Sequence, residues 1–307
     1  MERIFCATVN KCGFSPCATT ITRLINCPSL PDAAHAYDDN FARTKFLPLI
    51  GAGATDTPAK CFANNWPTMK LYNTIHINCS TYGPEAGCFM YTAFDTTQKI
   101  IVMGFRGTQG STQLSEEIGA FFLGKRKFFD VGYVFEYFYD AFMYFWNAGL
   151  SNDIRQLKYL YPDFDLWVTG HSLGGALSSV AASYVVKAGI FQGQKIKLLT
   201  VGQPRTGDYD YALWHQNTFP YSYRVVHHKD IVPHVAPQLM PDGDEMFHHR
   251  TEIWYNNNMT IGAPYNVCKE ADGLHCSNTQ VDTSFDDHMY YYNTDLGVYG
   301  PRGCPKQ

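Results

Sequence analysis

The pentapeptide Gly170-His-Ser-Leu-Gly174 sits between a short apolar run, Leu166-Trp-Val-Thr169, and a segment of small residues that extends to Lys187. The apolar run reads as a buried strand and the small-residue segment as a helix that can lie close on a sheet. A serine between them occupies a sharp strand-to-helix turn, where bulky residues at 170 and 174 would clash. Around this turn the pattern alternates. Residues 99–105, 166–169, 196–201, 223–227 and 252–255 read as strands, and 38–49, 139–160 and 173–187 as helices. The glycines at 51 and 53 read as a loop after the first helix. Alternating strands and helices predict an α/β fold with a central, mostly parallel sheet flanked by helices.

The serine turn also carries chemistry. The first N–H groups of a helix beginning at the serine have no intrahelical partner and face the reaction centre. Serine needs a base and an orienting acid, and an α/β-hydrolase orders them Ser, then Asp or Glu, then His. Asp230 follows the strand at 223–227 and falls where a sheet's carboxyl edge presents functional groups. Asp208, Asp210 and Asp242 follow no comparable strand. Among His234, His248, His249, His275 and His288, the last lies near the C-terminus, where the base is expected. His171, inside the turn, is expected to support it. The spacing of His227, His228, His248 and His249 has no zinc pattern. The expected catalytic residues are therefore Ser172, Asp230 and His288, with no metal or other cofactor. Phe105-Arg-Gly-Thr108, after an earlier strand, is expected to bring Thr108 as an oxyanion donor beside Leu173. Trp214, Phe219 and the phenylalanines near residue 122 are candidate walls for an apolar substrate.

The chain has 307 residues, a formal net charge of -4 and no basic run, which excludes an electrostatic footprint for nucleic acid. No apolar stretch reaches transmembrane length. Ten cysteines without zinc-type or Cys-x-x-Cys spacing point to disulfides in an oxidising compartment. Cys79–Cys88 and Cys268–Cys276 suit short-loop bridges, and Cys61 with Cys304 could join the two ends of the main domain, though spacing alone does not fix the pairing. The sequons Asn78-Cys-Ser80 and Asn258-Met-Thr260 are usable only on a secretory route. Met1-Glu-Arg-Ile-Phe-Cys6 lacks the apolar core of a signal peptide. The expectation is a secreted protein whose leader lies outside this sequence. Residues 1–35, with four cysteines, read as a separate extension of the main domain, 36–307.

Together these segments resemble the class 3, or fungal-type, triacylglycerol lipases, in particular their secreted nematode-type members. The resemblance spans roughly 37–304. It rests on Val102-Met-Gly-Phe-Arg-Gly-Thr108, Val168-Thr-Gly-His-Ser-Leu-Gly-Gly-Ala176, Val201-Gly-Gln-Pro-Arg-Thr-Gly207, Arg224-Val-Val-His-His-Lys-Asp-Ile-Val-Pro233 and Asp286-Asp-His288. It implies Ser172 as nucleophile, Asp230 as triad acid, His288 as base, and Thr108 and Leu173 as oxyanion donors. It also implies a Cys61–Cys304 bridge, a lid over 109–122, and a lipid ester substrate, reached at a lipid–water interface. The lid segment lacks the tryptophan that fungal members often carry. A phospholipase A1, another carboxylesterase or a non-catalytic lipid-binding protein on the same scaffold is the alternative.

Overall fold

The structure, a computed structural model, describes residues 33–78, 87–107, 123–240, 243–268, 270–273 and 276–306. Among the described residues an eight-stranded sheet runs through the molecule, its neighbours following chain order. Its strands are β1 (Lys70–Asn78), β2 (Gly87–Asp95), β3 (Ile100–Phe105), β4 (Asp165–His171), β5 (Ile196–Val201), β6 (Tyr221–His227), β7 (Glu252–Tyr255) and β8 (Asn266–Cys268). Pairing is parallel from β3 to β7. The outer pairs β1–β2, β2–β3 and β7–β8 are antiparallel. The expected parallel core is present. The antiparallel margins carry no helix-period signal between strands and were not anticipated.

Both faces of the parallel strands are covered, as their near-continuous apolar runs require. Along β4, Leu166 and Val168 enter one core cluster and Trp167 the other. Along β3, Ile101, Met103 and Phe105 face the first and Ile100 and Val102 the second. The helix Leu173–Lys187 lies in the first layer, with Ala176, Ser178, Ser179, Ala181 and Ala182 fully buried. Its small side chains let the backbone approach the sheet, and a helix apolar on most sides belongs in an interior.

Two local expectations need correction. The helix expected over 38–49 runs through Asp39–Phe41, a wide π-type turn Ala42–Phe46, and Leu47–Gly53. Gly51 and Gly53 are therefore helical. A Cβ on Gly51 would lie 2.6 Å from Cys304 Sγ, so the position requires absence of a side chain for packing, not for turning. The long helix expected over 139–160 begins earlier, at Glu136, and bends at Gly149, whose φ is 132°.

Cys61 bonds to Cys304 and Cys268 to Cys276. Cys88 is disulfide-bonded, while its expected partner Cys79 lies outside the described residues. So do the cysteines of the N-terminal segment and the expected lid. No described helix is long and apolar enough to cross a membrane.

Candidate active site

β4 ends at His171 and the helix begins at Leu173, leaving Ser172 alone in the turn with φ 58° and ψ -128°. That left-handed backbone costs on the order of 1–3 kcal/mol, and such strain persists only where surroundings over-determine it. Here they do. A Cβ on Gly170 would lie 2.3 Å from the carbonyl oxygen of Gly174, and one on Gly174 would lie 2.3 Å from that of Phe105. The Ser172 N–H donates to the Val201 carbonyl at 3.0 Å, and its own carbonyl accepts from Gly175 N–H at 2.8 Å. The Ser172 side chain is buried and, among the described residues, its Oγ has no hydrogen-bond partner.

Asp230 follows β6 and is wholly buried. Its two carboxylate oxygens each lie 2.9 Å from His288 Nδ1. Oδ1 also accepts from the Val232 N–H at 2.8 Å, and Oδ2 from the Tyr291 hydroxyl at 2.5 Å. Burial alone would raise this carboxyl's pKa. The His288 charge and the three donors outweigh burial and hold it below the ordinary carboxylate range.

His288 rides on the short helix Phe285–Met289, capped by Ser284, whose Oγ accepts from Asp287 N–H at 3.1 Å. Three further bonds fix that helix. His227 Nδ1 donates to the Asp287 carbonyl at 2.9 Å, Lys229 N–H donates to Asp287 Oδ2 at 3.1 Å, and His171 Nε2 donates to the His288 carbonyl at 2.8 Å. His171 also packs on the His288 ring, with centroids 4.3 Å apart. Burial, with the nearby His288, pushes the His171 pKa down to about 3, so it stays a neutral donor. With Nδ1 engaged by Asp230, His288 Nε2 is buried and, among the described residues, has no partner. The unpartnered atoms of this neighbourhood thus include one serine oxygen and one imidazole nitrogen.

Leu173 is the first residue of its helix, so its N–H lacks an intrahelical acceptor. Thr108 and the expected lid, residues 109–122, lie outside the described residues. Gly107 is described. A Cβ there would lie 2.5 Å from the His171 carbonyl oxygen and 3.0 Å from Ser172 Cβ, so glycine is needed for this loop to pass the turn. A cavity of about 320 Å³ opens beside it, lined by Phe105, Gly107, His171, Met289 and Leu296 among others.

The remaining candidates are structural. Asp208 caps the helix Tyr209–Thr218 by accepting from Tyr211 N–H at 2.9 Å, and Asp210 lies in that helix's first turn. His248 bonds through Nε2 to the Pro233 carbonyl, and the His234 carbonyl accepts from Arg205. His249 stacks on His215 with centroids 3.7 Å apart and accepts from the Gln203 amide. Asp242 and His275 are outside the described residues. The donor cluster Glu252, Cys268 and Cys276 has both its sulfurs joined in a disulfide. Trp214 and Phe219, expected as substrate walls, are not at the site. Trp214 lies under Lys187 Nζ, 5.6 Å from the ring centroid, at the far end of the helix that begins at Leu173. Fifteen residues of helix span about 22 Å. Phe219 is core and packs on Trp214 and His215.

The sequence passed over Tyr291 and Gly202. A Cβ on Gly202, whose φ is 59°, would lie 2.8 Å from His288 Cε1 and 2.9 Å from Asp230 Oδ2. Val201-Gly-Gln-Pro placed this glycine at a strand's carboxyl end, which was the available signal. Tyr291 had none, because a tyrosine run gives no sign of which hydroxyl turns inward.

Residues 102–240 match the family described as Lipase (class 3). A Caenorhabditis elegans protein named Lipase ZK262.3 is 32% identical over 304 residues, covering 90% of this chain and 80% of its own length. The Fusarium solani secreted mono- and diacylglycerol lipase 1 is 27% identical, covering 82% of this chain and 73% of its own. Among solved structures, the Rhizomucor miehei triacylglyceride lipase superposes with a TM-score of 0.69 at 25% identity, over 86% of this chain and 98% of that one.

Proposed function

The chain belongs to the class 3 lipase family, and from that premise we propose that it hydrolyses acylglycerol-type esters with Ser172 as nucleophile, His288 as general base and acid, and Asp230 as the orienting carboxylate. The enzyme is a carboxylic ester hydrolase. The observation that carries the residue assignment is the polarised imidazole. Nδ1 of His288 is held by both oxygens of Asp230, which fixes the tautomer; among the described residues Nε2 and the Ser172 Oγ are both without a partner, and His171, next to Ser172, packs on the His288 ring.

In this reading Ser172 Oγ attacks the ester carbonyl as His288 Nε2 takes its proton. Asp230, kept ionised by its three donors, stabilises the imidazolium. The Leu173 N–H, with Thr108 as its partner, receives the charge that develops on the carbonyl oxygen, and one such donor is worth on the order of 10² to 10³ in rate. His288 then protonates the leaving alcohol. It next activates water, which releases the acid from Ser172. His171, neutral and bonded to the His288 carbonyl, keeps the base in place without competing for the proton.

An extracellular setting and action at a lipid–water interface belong to the same proposal. Supporting them are the disulfides Cys61–Cys304 and Cys268–Cys276 and the Fusarium solani relative, which is named a secreted lipase. The test is hydrolysis of p-nitrophenyl esters from acetate to palmitate by wild type and Ser172→Ala, each below and above substrate saturation. Turnover by wild type alone, with a rate jump on long-chain substrate above saturation, is the expected result. Equal inertness of two folded proteins would overturn the catalytic assignment and leave a lipid-binding role.

A further inference from the structure

We propose that Asn258 is a site of N-linked glycosylation and that the fold presents it for that purpose; the inference rests on the extracellular part of the reading above. Asn258-Met-Thr260 lies just beyond the bend at Asn256 and Asn257 that follows β7. Asn258 and Thr260 are exposed, whereas Met259 between them is fully buried. The inward methionine is the anchor. Its Sδ accepts from the Tyr292 N–H at 3.3 Å and its N–H donates to Asn257 Oδ1 at 2.9 Å. Arg43 Nη2 donates to the carbonyls of Met259 and Thr260 at 2.7 and 3.3 Å. Met259 turns in at φ 51°, and Asn258 and Thr260 stand exposed on either side of it. Among the described residues none engages the Asn258 amide.

A glycan is bulky and must stand on a surface. This segment offers one. Ile261, the next residue in the chain, is 76% exposed and lines a shallow concavity of about 440 Å³ shared with Asn40, Thr44, Lys45 and Asn65. Sugar over this loop would cover an apolar side chain that otherwise faces water. The second sequon differs. Asn78 is the last residue of β1, paired with Gly87 of β2, and Cys79 and Ser80 lie outside the described residues. Asn258-Met-Thr260 is the sequon whose three residues are all described.

Chemically, the Asn258 Nδ2–C1 bond to the first N-acetylglucosamine forms as the bond from C1 to a polyprenyl diphosphate carrier breaks. The diphosphate leaves with its electron pair and the amide loses one proton; nothing is oxidised or reduced. The test is secretion of the full chain from insect cells behind a heterologous leader, which makes the route certain. Peptide-N-glycosidase treatment in H₂¹⁸O should place labelled aspartate at 258, and Asn258→Gln and Thr260→Ala should each lose one glycan's mass while ester hydrolysis is unchanged. Secreted wild-type protein with Asn258 unmodified would overturn the proposal. Because the leader imposes the route, that failure is distinct from failure of the extracellular reading, which a count of free thiols near ten in natively produced protein would show.

Discussion

The Tyr291 hydroxyl donates to Asp230 Oδ2 at 2.5 Å, so the carboxylate that holds His288 is itself held by a side chain three residues beyond that histidine. Both groups are fully buried. Removing the hydroxyl leaves Asp230 with His288 and the Val232 N–H. Hydrogen bonds to charged groups contribute about 1.5–3 kcal/mol. Much of that is felt when His288 becomes charged, because Asp230 must then be ionised and aligned. Tyr291→Phe should lower kcat about tenfold, by the relation of about 1.4 kcal/mol per decade, with KM little changed. Steady-state kinetics on a soluble short-chain ester check this, and an unchanged kcat would remove Tyr291 from the positioning of the base.

Gly202 tests the same pair from the other side. Alanine there places a methyl group within 3 Å of both His288 and Asp230 and forces an L-residue to φ 59°. Alanine in a left-handed position destabilises by more than the roughly 0.4–1 kcal/mol that it gains elsewhere. Gly202→Ala is expected to fold with a lowered urea midpoint and to lose at least about tenfold in kcat as His288 is displaced. Full activity in a folded Gly202→Ala protein would show that the imidazole has room to spare.

How much of this was legible follows from where the information lies. Ser172, Asp230 and His288 could be proposed from the sequence because each is tied to local pattern: a strand-to-helix turn, the loop after an apolar strand, and a late histidine in the required order. The structure brings Asp230 and His288 into contact, and His171, the residue before Ser172, packs its ring on His288; among the described residues no hydrogen bond joins Ser172 Oγ to His288 Nε2. Tyr291 and Gly202 act across the fold, and no short window carries that. Gly51 was misread for the same reason, since its need for a small residue comes from Cys304, far along the chain. Trp214 was misplaced because a composition argument puts aromatics near an apolar ligand without saying which end of a helix they occupy.

Acid should unfold the protein through its buried histidines. His171 and His249 are pushed down to about 3, chiefly by burial, and His215 and His248 lie well below the ordinary value. Below pH about 6.5 the unfolded chain binds protons that the folded one refuses. Stability from these groups is therefore fully present above that pH and is lost progressively as pH falls from there toward 3. Asp230, also lowered, acts in the same direction at more acidic pH. The urea midpoint should fall steadily between pH 7 and 4. His249→Asn should make the fall shallower while lowering the midpoint at pH 7, because Gln203 and the stacked His215 lose a partner. A midpoint independent of pH over that range would contradict the burial of these rings.

The Cys61–Cys304 bridge joins the helix Pro58–Asn65 to the segment after the last helix, across a separation of 243 residues. Around it Asn64 and Asn65 donate to the carbonyls of Gly303 and Cys304 at 2.7 and 2.6 Å, so the two ends are matched without the sulfurs as well. Closing so long a loop restricts the unfolded chain most, and loss of a native bridge costs about 2–5 kcal/mol. Cys61→Ser with Cys304→Ser should therefore lower the thermal midpoint clearly yet leave ester hydrolysis at low temperature intact, since neither sulfur contacts Ser172 or the Asp230–His288 pair. Calorimetry and initial rates on the same preparation check the split. Loss of activity in a double variant that remains folded would mean that the terminal segment, through the run from His288 to Cys304, transmits strain to the base.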